Sequence, residues 1–408
     1  MSADGALSGL RVVEFSSAMA GPWIGRFMAW AGAEVIRVES RKRPDVVRGY
    51  VPPWDPALGT QPEMSPWFTD WNAGKRFVSL DLTHPRAVEL AKGLVAVSDL
   101  VVENQAAGVM DKLGLGYKDL SAVREDIIMI SSSGFGDSGP ASRHVTWGPN
   151  IEAASGLATA TGFAGSDCTV TQYAYPDSVS AMHGLFAVMC ALDHRRRSGQ
   201  GQYINMSQYE TLVSAIGHLV LEQIEGDGPA LPCGNRARDR APQGAYPCRG
   251  EDRWLVLSVD GEKAWKALGA VLERPDLGGR VDLASFEGRC NAHDDIDAAI
   301  SAWTSERDAW EAVQTLQEAG VAAAVVETTE DQWERDRHLQ DRGFFEQIEH
   351  LKKGKVVATG IPLGLTATPG SSRVAGQAVG QDNAYVFEEL LGLGREEVEE
   401  YEREGVFE

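Results

Sequence analysis

Residues 10–40, "LRVVEFSSAMAGPWIGRFMAWAGAEVIRVES", restrict the fold more than any other stretch of the chain. "LRVVEFS" and "EVIRVES" are short β-rich runs, and the apolar segment between them, "GRFMAWAGA", suits a helix. Strand, turn, helix, strand is the opening of a βαβ unit and hence of a parallel sheet. The alternation recurs. "RFVSLDL", "DLVVEN" and "DIIMISSSGFG" read as strands, with "HPRAVELAKGLVAVS" as a helix opened near Pro85. A doubly wound α/β domain follows from this pattern.

Residues 44–74 interrupt it with a segment dense in Pro, Gly and Trp, too long for an ordinary connector. It reads either as a functional loop or lid, or as an excursion packed on a partner chain. "QYINMSQYETLVSAIGHLVLEQIEG" is predicted as a strand and one long helix. A Gly-, Pro- and Arg-rich break follows it. Beyond the break lie the strand "WLVLSV", three helical patterns and the strand "VAAAVVET", which together suggest a smaller α/β domain over about residues 216–344. "RGFFEQIEHLKKGKVVATG" reads as a hairpin, and the chain closes with helices.

Several common chemistries are excluded. The turn after the first strand is "SSAMAGPW", where Pro22 and Trp23 obstruct the close backbone approach of a dinucleotide pyrophosphate. GxxxxGK[ST], GxSxG, HxH and HExxH are absent. The five cysteines are scattered without CxxC spacing, so reduced, mostly buried thiols are expected, with no metal site. A formal charge of −21 argues against nucleic acid and anionic membrane surfaces as partners. The N-terminus lacks a secretory pattern and no apolar run is long enough to span a bilayer, so a cytoplasmic protein is expected.

"YAYPDSVSAMHGLFAVMCALDHRRRSGQGQ" presents the sharpest candidate. Asp177 sits where a helix begins, ahead of apolar positions at Met182, Leu185, Phe186, Met189 and Leu192. His183 is read as a packed core histidine. An aspartate in this place suits an N-cap, and it equally suits a nucleophile kept ionised by the helix terminus. Periodicity leaves both roles open.

Taken together with "NAGKRFVSLDL", "DLVVENQAAGVMDKLGLGYKDL", "ISSSGFGDSGP" and "GNRARDRAPQGAYPC", these segments resemble the family III CoA-transferases almost end to end. The resemblance implies a large Rossmann-like domain built from both chain ends (1–215, with 345–408 returning to it) plus a smaller α/β domain (216–344). It also implies an interlocked dimer, with a heteromer of related subunits as a variant. CoA would move from an acyl-CoA donor to a free carboxylic acid through an acyl-aspartyl anhydride and an aspartyl-CoA thioester on Asp177. Acyl-CoA is then a substrate, and no tightly bound cofactor is implied.

The resemblance points to Ser17, Ala18, Arg41, Lys75, Arg76, Asn104 and Lys112 for CoA, with Lys42 and Arg43 as further phosphate candidates. Each of these cations reads equally well as a solvated surface charge. Met19, Trp147 and Gly244 fall at the substrate pocket. The chain departs from the family pattern at Met19, where oxalate-specific members carry glutamine, and at Ala106, where many carry arginine. Trp23, Trp54, Trp67, Trp71 and Trp147 suit either an acyl pocket or core packing. A racemase of the same fold is the main alternative. It needs a second base, and Trp147 stands where its histidine would fall, with His144 out of register. A silent acyl-CoA-binding subunit is the other alternative.

Overall fold

A computed structural model describes residues 5–50, 62–171, 173–226 and 232–408. The chain forms two compact units: Met1–Leu157 with Val170–Gly228 and Leu339–Glu408, and Ala158–Thr169 with Pro229–His338. Trp54 lies outside the described residues.

The first unit holds six parallel strands: β1 (Arg11–Phe15), β2 (Glu34–Glu39), β3 (Arg76–Ser79), β4 (Leu100–Glu103), β5 (Ile128–Ser133) and β6 (Tyr203–Ser207). They lie in the order β3-β2-β1-β4-β5-β6. Successive residues point to opposite faces, so Val12 enters one apolar layer and Val13 the other. Both faces are covered, which is why most of these strands are rich in apolar residues. Val13, Ile36, Val78 and Val101 pack under the helix Pro85–Ala96 and the chain's last segment, whose Phe387, Tyr401 and Phe407 complete that layer. Segments from both halves of the chain therefore build this unit.

On the other face lie the helices Ala20–Trp30 and Tyr175–Ser198. The buried side of the latter is Ser180, Ala181, Gly184, Val188 and Ala191, all but Val188 small. A side chain at Gly184 would meet Ile24 Cδ1 at 2.7 Å and Met206 Cε at 3.1 Å, so only small residues allow this approach. Of the large apolar positions, Met182 (40% exposed) and Phe186 (72%) turn outward, while Leu185, Met189 and Leu192 pack part-buried against the core. His183 is exposed as well, contrary to its reading as a core histidine. Cys190 shares that outer side, and Cys168 and Cys233 are also exposed, so most of the thiols are not buried.

The predicted long helix after β6 is two helices, Gln208–Ala215 and Gly217–Glu225, parted at Ile216. The antiparallel hairpin of β10 (Phe345–His350) and β11 (Gly354–Thr359) also belongs to the first unit. In the second unit, β7 (Gln243–Pro247), β8 (Trp254–Ser258) and β9 (Ala322–Val325) form an antiparallel sheet. It packs on helices through Trp265, Leu268, Ile296, Ile300, Val313 and Leu316. Among the described residues, no helix is long and apolar enough to cross a membrane.

Candidate active site

Strand order reverses beside β1, which pairs with β2 on one side and β4 on the other. The connections leaving the C-terminal ends of β1 and β4 must part there and leave a crevice, the usual ligand position in such sheets. Ser16–Met19 and Asn104–Ala107 are those connections. Asn104 ties them together, accepting from the Ser17 N–H at 2.8 Å and donating to the Ser17 carbonyl at 2.9 Å. Ala18 sits at φ +59°, a left-handed conformation that costs a non-glycine residue about 1 kcal/mol. Its N–H donates to Asp45 Oδ2 at 3.0 Å, which holds the turn.

Beneath the turn lies a buried ionic cluster. Arg37, fully enclosed, pairs with Asp45 and with Glu14, the latter at 3.3 Å, and donates to the Ser16 carbonyl at 3.0 Å. The Lys75 ammonium, 2% exposed, donates to Glu14 at 3.0 Å, to the Pro22 carbonyl at 2.8 Å and to Asn72 Oδ1 at 2.9 Å. Its three donors are all engaged inside the protein, so Lys75 offers nothing to a CoA phosphate, and that expectation is corrected.

The cleft over these loops has a volume of about 410 Å³ and contains Asp177, Met19, Gly134, His144, Trp147, Gly148 and Gln208. Asp177 is the third residue of its helix, which begins at Tyr175 after an Ala174 cap that makes no side-chain bond. The backbone N–H of Ala20, the first residue of the helix Ala20–Trp30, lies near its carboxyl and favours the ionised form. Asp177 thus faces the start of a second helix, not only its own. The approach is close: a Cβ on Gly148 would stand 3.0 Å from Asp177 Oδ2. Burial outweighs the N–H bonds and pushes the carboxyl up from 3.8 to about 6. No other carboxylate lines the cleft among the described residues.

A second chamber of about 540 Å³ shares Ser17, Val46, Gln105 and Trp147 with the cleft. Lys42 and Arg43 line it, and Lys42 also pairs with Asp81 at 2.9 Å. The remaining sequence candidates lie elsewhere. Arg41 is exposed and donates to the Phe407 carbonyl at 3.3 Å. Arg76 pairs with Glu34 at 3.1 Å and Asp382 at 3.2 Å. Lys112 is exposed at the end of the turn Val109–Lys112, which lends Val109 and Met110 to the second chamber. Gly244 belongs to the other unit, where a Cβ on it would meet the Tyr246 ring at 2.8 Å.

Asp45, Gly148 and Gln208 escaped the sequence reading. Asp45 caps the following turn through the Val47 N–H at 2.9 Å, but its partners Arg37 and Ala18 reach it only through the fold. His144, out of register in the sequence, does line the cleft. Among the described residues, no group of three or more His, Cys, Asp or Glu side chains could hold a metal ion.

Over 392 residues the chain is 29% identical to the succinyl-CoA–D-citramalate CoA-transferase of Chloroflexus aurantiacus, covering 96% of each. It is 30% identical over 370 residues to a succinyl-CoA:mesaconate CoA-transferase of Haloarcula marismortui, spanning 89% of this chain and 91% of that one. A crystal structure of a CAIB/BAIF family protein from Brucella suis superposes with a TM-score of 0.86 at 25% identity, over 95% of this chain and 100% of that one. Residues 7–383 match the family described as CoA-transferase family III. This chain is therefore an enzyme of CoA-transferase family III.

Proposed function

We propose that the protein moves CoA between two carboxylic acids with Asp177 as the nucleophile. The observation that carries this reading is one carboxylate, alone among the described lining residues, facing a helix N-terminus in a cleft at the strand-order reversal. Asp177 attacks the thioester carbonyl, the C–S bond breaks, and CoA leaves as thiolate from an acyl-aspartyl anhydride. The thiolate attacks Asp177 Cγ and expels the donor acid, leaving an aspartyl-CoA thioester. An acceptor carboxylate then reverses both steps and departs as its thioester. The Ala20 N–H, aimed at the Asp177 carboxyl, suits the negative charge that develops there in each addition.

CoA is a substrate in this scheme, with no tightly bound cofactor. Its nucleotide end occupies the second chamber beside Lys42 and Arg43, and its thiol end passes Trp147 toward Asp177. Replacing Lys42 and Arg43 together by alanine is expected to raise KM for acyl-CoA about tenfold with little change in kcat, read from initial rates. The assembly proposed with this chemistry is a dimer, in which a second copy covers the outward Met182 and Phe186. A monomer mass by light scattering at micromolar concentration contradicts that assembly.

The test of the chemistry is exchange. Each of a panel of acyl-CoA thioesters is mixed with its own ¹³C-labelled free acid and no third acid. Label entering the thioester without free CoA supports a covalent half-reaction, and its absence with every donor contradicts it. The attacking form is the carboxylate, so exchange is expected to rise with pH through about 6 and level above it. His144 on the cleft wall favours racemisation as a second reading. Deuterium entering the α position of a branched acyl-CoA, with no acceptor acid and no label exchange, marks that outcome.

A further inference from the structure

Part of the cleft wall is an aromatic ladder. The Tyr50 and Trp67 rings lie 4.9 Å apart, and Trp67 and Trp71 stack at 5.5 Å. The two tryptophans are one turn apart on the helix Pro66–Trp71, so they share a face. The other face is anchored: Phe68 is fully buried with the Arg48 guanidinium 3.5 Å above its ring. Anchoring there keeps the tryptophans on the cleft, yet Tyr50 and Trp67 are each 51% exposed. Large rings left half open inside a ligand cavity offer apolar area that a ligand would cover.

The charge of the same wall is as informative. Among the described residues lining the cleft there is no Lys or Arg. A dicarboxylate would bring a second carboxylate into this cavity with no lysine or arginine from the wall to meet it, and burying an unpaired charge is unfavourable.

We infer that the acids exchanged at Asp177 are monocarboxylates bearing an aryl or bulky apolar group, seated on Tyr50, Trp67 and Trp71. This rests on the transferase reading of the same site and names its substrate class.

The test compares 3-phenylpropionate and phenylacetate with succinate and malate as acceptors, each against acetyl-, succinyl- and phenylacetyl-CoA donors. The expected result is a kcat/KM for aryl acids at least about tenfold above that for dicarboxylates. Trp67→Ala and Trp71→Ala should each cut that ratio about tenfold, and Trp67→Phe should largely keep it. Dicarboxylates used as well as aryl acids, or a ratio unmoved by both alanine variants, would overturn the inference. Calorimetric binding of the free acids to the CoA-loaded protein separates the two claims. Tighter binding of 3-phenylpropionate than succinate, with no transfer from any donor, sinks the transferase reading and leaves only the cleft's preference for aryl acids standing. Equal binding sinks this one.

Discussion

Asp177→Asn is expected to lower CoA transfer by roughly a thousandfold or more, while making the folded protein more stable at pH 8. The first effect follows from chemistry: an amide is a poor nucleophile and forms no anhydride. The second follows from burial. The folded carboxyl titrates near 6 and an ordinary aspartate at 3.8, so the folded state binds this proton more tightly and the ionised form destabilises it. That cost is complete above about pH 6, shrinks as pH falls, and vanishes below about 3.8. Asparagine removes the charge and keeps an acceptor for the Ala20 N–H. Its gain should be about 1–2 kcal/mol at pH 8, since the group is partly open to the cleft, and nearly nil at pH 4. Urea unfolding at the two pH values reads the difference. A variant that loses activity and is destabilised at both would show Asp177 to be a structural cap.

Asp45→Ala should have the opposite signature, losing stability by about 3–5 kcal/mol. It leaves Arg37 enclosed without its nearest carboxylate and frees the N–H groups of Ala18 and Val47. The turn bearing Ala18 at φ +59° then has no anchor, so activity should fall in whatever protein still folds. If Asp45→Ala is insoluble, Asp45→Asn serves, because it keeps an acceptor and loses only the charge. A cycle with Arg37→Met gives the coupling directly. The double variant should be less destabilised than the sum of the singles, and strict additivity would show that the pair is not linked.

Much of the fold was legible because most of the parallel strands are buried on both faces and are therefore rich in apolar residues, the enclosed Glu14 and Arg37 aside. "LRVVEF", "EVIRVE" and "DIIMISSS" announce themselves for that reason. Helix faces were less legible. Met182 and Phe186 look like the inner face of the Asp177 helix by periodicity, but Gly184 lets that helix approach Ile24 and Met206 through its small residues. Nothing local reports how near a neighbour will come. Lys75 shows the same limit: the family resemblance offered it as a CoA ligand, and only the folded sheet places it over Glu14. Asp177 itself was legible as a candidate from its position after Tyr-Pro. Its approach to Ala20 was not, because the two residues lie 157 positions apart.

The most direct test of the account is the intact mass of the protein after brief incubation with an acyl-CoA donor and no acceptor. The expected result is a species heavier by CoA less one water. Hydroxylamine should discharge it, peptide mapping should place it on Asp177, and Asp177→Asn should lack it. An adduct that persists in Asp177→Asn, or multiple turnover by a protein that never carries one, would contradict the account.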